Sequence, residues 1–534
     1  MTILDAPPQT LPGALAQAAR KRGSATFLIH GDVELSYAGL EAASARVAAG
    51  LIGLGIGRGD RVGLLLLNRP EWVVLFFACS RIGAVAVGMS PRFRGAELGY
   101  ILRDSEVKAV ATMDSHEGCD FPALFEQLAG DSPSLEHLIS LPGSAAGRQP
   151  GRLRHATYAQ LDAHPPSGGL HSIEASLGAS DPAMVIYTSG TTGRPKGACL
   201  THGSMLASAA AQAAHMRVNQ DDLLPLPLPL NHVGGITCGV LTLLLGGGRI
   251  DLLPEFKAAL MLERIRRHLP TLLAGVPTIM TLILMHSQDN DVDFSSVRLA
   301  FIGGSSVDPS LLEQMRQRMP GATLMNLYGL SETSGAIVLT PWDTSDEDLM
   351  GSIGAPVGDA ELRVVLPGSD QDVAAGEVGE ICFRGCGVVA GYVGAARAGE
   401  AFLPGGWLRT GDLGRVDARG VITLCGRAKD MYIQGGFNVY PAEVEAHIAR
   451  HRDVLMVAGI GVPDPVLGEI GHYFVVRRPG AQVTEDALRG WCADELSDYK
   501  VPRRIEFRDE LPLTPAGKIH KAALREAQHG AGTR

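Results

Sequence analysis

No surplus of positive charge runs through this chain: 47 Lys and Arg stand against 57 Asp and Glu, a formal net charge of -10 over 534 residues. Such a balance excludes a general electrostatic trap for nucleic acid or anionic lipid, while leaving room for a local anion site. Cysteine is sparse and scattered (Cys79, Cys119, Cys199, Cys238, Cys382, Cys386, Cys425, Cys492), and Cys382 with Cys386 lacks the second pair that a zinc site needs. Dispersed thiols of this kind suit a reducing cytoplasm. The N-terminus carries Asp5 and no basic region leading into an apolar stretch, which argues against a signal peptide. Internal repeats, low-complexity tracts and coiled-coil heptads are missing as well. One stretch, 223–248, is free of Asp, Glu, Lys and Arg and has the length of a membrane span. Pro225, Pro227 and Pro229, with Gly234, Gly235 and Gly246 to Gly248, break it too often for a spanning helix. It reads as buried strand, loop and packed helix.

What is present is a globular composition, 46% hydrophobic and 19% charged, in a chain too long for one ordinary core. An amphipathic helix near 11–20 precedes a hairpin around Gly31 and Asp32. Apolar strand-like runs (61–67, 84–88, 107–112) then alternate with helical stretches (40–50, 70–81, 96–104), the pattern of strand-helix units on a largely parallel sheet. Residues 143–182 read as an irregular connection. A second alternating stretch runs to about 345, and turn-rich β segments fill 351–425. In the last hundred residues Pro441 opens a helix to Arg450, strands are predicted at 454–461 and 471–476, and 484–496 is helical. The expected fold is α/β. A large multi-lobed N-terminal domain (1–426) carries mostly parallel sheets flanked by helices plus a β-rich lobe, followed by a small mobile α+β C-terminal domain (431–534).

Chemistry begins at 187–197, YTSGTTGRPKG, where an apolar strand enters a loop with glycines for tight turns. Thr188, Ser189, Thr191 and Thr192 offer hydroxyls, Gly190 an accessible backbone, and Lys196 a cation, a donor set that can wrap a polyphosphate. No Gly-Lys-Ser/Thr follows at Walker spacing, so this is not that loop. The string resembles the phosphate-binding signature of the adenylate-forming superfamily of acyl-CoA synthetases, adenylation domains and luciferases. The likeness continues in family order from about residue 10 to 525.

That resemblance assigns further roles. In YGLSET (328–333), Tyr328 is expected to stack on adenine with Gly329 beside it. Ser331 would touch the phosphate or the substrate carboxylate, and Glu332 would help hold Mg²⁺. A carboxylate facing a triphosphate needs a cation between them. In RTGD (409–412), Asp412 would accept from both ribose hydroxyls, with Arg427 of GRAKD meeting the ribose from the other side. Lys429, in the 427–430 segment, matches the hinge about which the small domain swings. Gly436 would line the tunnel for the coenzyme A thiol. In LPLTPAGKIHKAAL (511–524), Lys518 matches the lysine that bridges carboxylate and α-phosphate; the family usually has Arg where this chain has Lys521.

The implied partners are ATP, coenzyme A and a small carboxylic acid, with no nucleic acid and no membrane span, and a homodimer stays open. His232, in PLNHVGG, resembles the aromatic that divides the acyl pocket from ATP. Between Asp222 and Asp251 no acid is available to pair with an ammonium, which disfavours an amino-acid substrate. Acetate-activating relatives close the pocket with Trp where this chain has Gly329. The candidate pocket residues are His232, Gly234, Gly303, Leu327, Gly329, Ser334 and Gly335. They leave room for a medium- or long-chain fatty acid, taken first, or for an aryl or alicyclic acid as the alternative, and the sequence does not choose between them. Three rivals remain: an acyl-AMP ligase that loads a carrier protein, a non-catalytic nucleotide-binding protein, which would have no need of Lys518, and a dehydrogenase suggested by G-x-G-x-x-A at 385–390. The last lacks a good following helix and an acid at the expected spacing.

Overall fold

The structure, a computed structural model, describes residues 8–141, 151–165, 168–188, 195–287, 292–304, 309–394, 401–513 and 519–531. Thr10 caps the helix Leu11–Arg22 by accepting from the Gly13 amide, and Pro12 occupies its first turn, where a missing N–H is harmless. The strands Thr26–His30 and Val33–Ser36 form the expected hairpin. Ser36 then caps the helix Tyr37–Gly53, and Pro70 opens the helix Pro70–Arg81. Every residue of that helix from Trp72 to Arg81 is buried, as suits a helix enclosed by neighbours on all sides. Its end brings a charge into the core. The Arg81 guanidinium is 3% exposed and is held by Glu41 at 2.7 Å, by Glu174 and by the Ser44 hydroxyl at 3.0 Å.

Seven strands form the largest sheet, in the order Lys196–Thr201, Pro182–Thr188, Val85–Met89, Arg61–Leu65, Val107–Thr112, His137–Ser140 and Arg154–Thr157. All its pairings are parallel except the first. A correction falls on 143–182. The described part of this stretch holds the edge strand Arg154–Thr157, the helix Tyr158–Asp162 with a Thr157/Gln160 capping box, and the helix Leu170–Ala175. Elements of four, five and six residues are too short for periodicity to register, which is why the composition alone suggested a loop.

A second sheet runs Leu223–Leu226, Arg249–Leu252, Thr26–His30, Val33–Ser36, and Pro225 lies in its edge strand, where no ladder donor is lost. The third runs Leu272–Gly275, Leu299–Gly303, Thr323–Leu330, Gly335–Leu339, Ala355–Pro356, parallel as far as its third strand. Antiparallel strands Glu361–Val365, Gly379–Arg384, Trp407–Val416, Phe402–Leu403 and Ile422–Arg427 make the β-rich lobe. Gly385 to Ala390 follow an antiparallel strand there and lead into turns with no helix, so the dinucleotide reading fails on both counts.

The last sheet runs Phe437–Val439, Tyr432–Gln434, Gly468–Arg477, Val454–Asp464, with Arg504–Phe507 parallel to Gly468–Arg477. Strand alternation divides its core. Tyr473 and Val475 face the helices Pro441–Ala449 and Glu485–Glu495, while Phe474 and Val476 pack with Leu511 and Leu524, the latter in the helix Lys521–Ala531. No helix among the described residues is long and apolar enough to cross a membrane.

Arg81→Met should leave two carboxylates without their shared partner. The expected loss is about 3 kcal/mol, the low end for a broken buried pair because Glu41 and Glu174 keep some contact with water. Thermal unfolding should show a clearly lower midpoint than for Glu41→Gln, and equal midpoints would refute the ranking.

Candidate active site

The strand Pro182–Thr188 leaves the sheet into 189–194 and returns as Lys196–Thr201, with Thr188 opposite Lys196 in register. Ser189, Gly190, Thr191 and Thr192 lie outside the described residues. The flanks are described. A segment from the β-rich lobe crosses the return strand: the Cys199 amide donates to Gly391 O at 3.1 Å and the Val393 amide to Gly197 O at 2.8 Å. This crossing sets Tyr392 beside Lys196, whose ammonium stands 5.7 Å from the ring centre, within cation-π range. The Tyr392 hydroxyl donates to Glu332 Oε1 at 2.8 Å, and the Val389 amide donates to Glu332 O at 2.9 Å. Burial first, and the Glu332 charge second, push the Tyr392 phenol far above its ordinary range, so it stays a neutral donor.

Glu332 sits in the single turn Ser331–Thr333, which ends the strand carrying Tyr328. The Tyr328 hydroxyl donates to Asp412 Oδ2 at 2.6 Å, and Arg427 Nε lies 2.8 Å from Asp412 Oδ1. Asp412 faces Arg427 across paired strands, its carboxylate 7% exposed and its amide bound to the Thr410 hydroxyl at 3.0 Å. Burial and then the Asp412 charge hold the Tyr328 phenol well above its usual range. Each Asp412 oxygen uses one lone pair on a protein donor, so the carboxylate can still accept two further bonds. Lys196, Tyr392 and Glu332 thus form one run of contacts and Tyr328, Asp412 and Arg427 another, and the backbone from Tyr328 to Glu332 joins them into one chain drawn from three sheets. Tyr392 and Thr410 escaped the sequence reading. Tyr392 lies in a stretch of small residues weighed only as a poor helix, and no spacing rule marks it.

The pocket candidates divide. A Cβ on Gly329 would come within 2.1 Å of Gly335 O, because the strand pairing bulges between Tyr328 and Gly329. This corrects the reading of Gly329 as an open pocket wall: close passage of the returning strand requires the glycine. The Cβ space at Gly303 is likewise taken by Leu327, its partner in register, and that at Gly335 by Ser208. Ser334 is fully buried, with its hydroxyl donating to Ser204 Oγ at 2.8 Å, so it faces the helix His202–His215 rather than a pocket. Leu327 is half-buried. His232 is exposed and caps the short turn Val233–Gly235, its Nδ1 accepting from the Gly234 amide at 3.1 Å. The adjoining Asn231 backbone rests on Gly88, beside Ile186 in the sheet. His232 and Gly234 therefore belong to the carboxyl end of the parallel strands, the usual ligand crevice of such sheets.

On the C-terminal lobe, Gly435 and Gly436 have φ of +59° and +88° at the tip of the hairpin Tyr432–Gln434 to Phe437–Val439, where a two-residue primed turn needs positive φ twice. The contact chain above does not reach Gly436. Lys429 lies in the turn after Ile422–Arg427 with its surface largely open, and partial desolvation of its ammonium, then the Arg427 charge, lower its pKa below the usual lysine range. The Ala428 amide donates to Gly411 O at 2.9 Å, and Asp430 pairs with Arg525 at 2.6 Å. Lys521 pairs with Glu445 at 2.6 Å, a contact that accounts for a cation there. Lys518 lies outside the described residues. A separate cavity of about 480 Å³ opens between Arg316, Asp346 and Met350 on one side and Arg450, His451 and Arg478 on the other; none of the candidate residues lines it.

Against known proteins, residues 15–393 match the AMP-binding enzyme family model and 443–518 its C-terminal domain model. The chain is 34% identical over 519 residues to a methyl-dioxo-octahydroindenyl-propanoyl:CoA ligase of Mycobacterium tuberculosis, covering 97% of this chain and 99% of that one. It is 32% identical over 534 residues to a long-chain-fatty-acid–CoA ligase of Escherichia coli, covering 96% and 93%. Among solved structures, an anthranilate CoA ligase in complex with anthranoyl-AMP superposes with a TM-score of 0.86 at 28% identity, over 99% of both chains. With the contact chain around Tyr392 and Asp412 on the N-terminal side and the family's C-terminal domain following it, this chain belongs to the AMP-binding enzyme family, among its acid-activating CoA ligases.

Proposed function

We propose that this enzyme condenses a carboxylic acid with ATP to give an acyl-adenylate and pyrophosphate, then transfers the acyl group to the thiol of coenzyme A with release of AMP. The observation that carries the reading is the pair of contact runs, Lys196–Tyr392–Glu332 and Tyr328–Asp412–Arg427, joined by the backbone between Tyr328 and Glu332. It supports a division of labour in which Lys196 and the 188–192 hydroxyls meet phosphates, Tyr328 meets adenine, and Asp412 with Arg427 meets the ribose. Lys518 of the C-terminal lobe serves adenylation, where negative charge builds on the attacked α-phosphate oxygens and an ammonium stabilises it. Mg²⁺ fits the donor set. Glu332 has one oxygen tied by Tyr392 and the other not committed to that bond, and a single carboxylate plus phosphates and water is the usual environment of this ion. When bound, it would neutralise phosphate charge.

For the acid, neither carboxylate flanking 223–248 is accessible to a substrate. Asp222 is held by Arg298 at 2.5 Å and Thr271 at 2.7 Å, and Asp251 is fully buried. A substrate ammonium would find no counter-ion there, which supports an acid with an uncharged skeleton. We take a medium- or long-chain fatty acid first. A ring acid is second, favoured by the names of the 34% relative and the anthranilate ligase. The 427–430 turn is taken as the hinge between domains 1–426 and 431–534, and the eight unpaired thiols favour the cytoplasm.

Pyrophosphate release should depend on the acid across a panel of fatty, aromatic and alicyclic acids, and AMP release should additionally require CoA. Among fatty acids kcat/KM should rise by up to about fourfold per methylene until the pocket is filled, from about 0.8 kcal/mol for each buried CH₂. AMP release driven by a carrier protein and not by CoA would sink the ligase reading. Lys518→Ala should cut adenylation by about 10² to 10³ while sparing thioester formation from supplied acyl-AMP; equal losses in both half-reactions would refute its assignment. Lys429→Pro should slow the thioester step more than adenylation, and unchanged kinetics in both would remove the hinge from this position.

A further inference from the structure

The helix Gly95–Asp104 ends beside the stem of the 189–194 loop. Its last residue, Asp104, accepts from the Tyr187 hydroxyl at 2.7 Å, and Tyr100, one turn earlier on the same face, donates to the Pro195 carbonyl at 2.9 Å. Tyr187 is the residue before Thr188 and Pro195 the one before Lys196, so a single helix end touches the chain where it leaves the sheet and where it returns. Because the single Tyr187 proton goes to the carboxylate, Ser105 Oγ, at 2.6 Å, must be the donor to Tyr187. Ser105 is fixed in turn, its carbonyl accepting from Arg61 Nε at 2.6 Å. The Tyr100 and Tyr187 rings meet edge to face at 6.1 Å, and the Tyr187 ring covers Gly197, whose absent Cβ would lie 3.1 Å from Cζ. Burial keeps the Tyr187 phenol protonated far beyond neutral pH.

We propose that Asp104, Tyr100 and Ser105 are positioning residues for triphosphate binding: they clamp Tyr187 and Pro195 so that Thr188 and Lys196 stay in register across the mouth of the phosphate loop. This rests on the ATP-binding reading above. None of the three need touch the nucleotide, since they act through the loop's ends. The polar contacts replace nothing in the core: the rings of Tyr100 and Tyr187 pack in the same apolar cluster with or without their hydroxyls.

The test uses Tyr100→Phe, Tyr187→Phe and the double variant in the full-length enzyme, with ATP affinity measured by calorimetry in the absence of acid. Each hydroxyl removed should raise Kd and KM for ATP by about three- to tenfold, the scale of one hydrogen bond. The double variant should fall short of the product of the two, because both hydroxyls serve one clamp. KM for the acid, and the thioester half-reaction from supplied acyl-AMP and CoA, should stay at the wild-type level, since neither needs the triphosphate. Unaltered ATP affinity in both variants, or equal losses in both half-reactions with a lowered melting temperature, would overturn the clamp alone. A wild-type enzyme that binds no ATP would overturn the function and the clamp together.

Discussion

Ionised carboxylates beside a site that must admit a triphosphate are tolerable only if each is held by its own donor, and here the donor is repeatedly a tyrosine. Asp412 accepts from Tyr328, Glu332 from Tyr392 and Asp104 from Tyr187. A phenol suits the task because it adds no charge, has a fixed reach and brings an apolar ring that can be packed. In all three pairs burial and the neighbouring carboxylate keep the phenol protonated, so the bond has one polarity throughout the working pH range. A lysine or arginine in the same place would compete for the phosphate charge. With phenols as the donors, the cations of the contact chain are Lys196, set against the Tyr392 ring, and Arg427, paired with the second oxygen of Asp412.

The pairs also join sheets. Tyr328 belongs to the third sheet and Asp412 to the β-rich lobe. Tyr392 comes from the segment after that lobe's second strand and reaches both the largest sheet, through Lys196, and the third, through Glu332. Parallel sheets offer ligands only the loops at their carboxyl ends, so a site built from three sheets needs links that hold those ends together. Hydrogen bonds between side chains perform that function here, backed by the backbone pairing of Ala198 with Tyr392.

Much of the fold was legible because long elements carry strong periodicity and explicit caps. Pro70 and Arg81 bound a helix at the predicted residues, and 107–112 is a strand as read. The errors follow from physics that sequence does not expose. Arg154–Thr157 is an edge strand with an alternation too short to detect, and the closing helix Lys521–Ala531 lies beyond a motif that drew attention to its lysine instead. At the site, motif residues could be named from one chain because their spacing within each string is local. The partners that orient them could not be, since Tyr392 lies 60 residues from Glu332 and Asp104 lies 83 from Tyr187. Gly329 shows the opposite failure. Its smallness invited an argument about substrate size, yet the nearby backbone of Gly335 already dictates it.

The same contacts bear on where the small lobe would turn. Arg427 is held to Asp412, and Ala428 is tied through its amide to Gly411, so both stay with the β-rich lobe as long as that sheet is intact. Asp430, by contrast, is paired with Arg525 of the closing helix and so travels with the C-terminal lobe. Lys429 stands between these two anchors, in a turn where the Asp430 and Met431 amides both donate to the Arg427 carbonyl, at 3.0 and 3.1 Å. The pivot we propose at Lys429 would give up these two turn bonds while leaving the hydrophobic cores of both lobes closed. A lobe swung about that point would carry the Gly436 hairpin and the Lys518 segment together, as both follow the pivot in the chain. Bringing one towards the nucleotide would then displace the other, and the two half-reactions would be separated by geometry rather than by regulation of either chemistry.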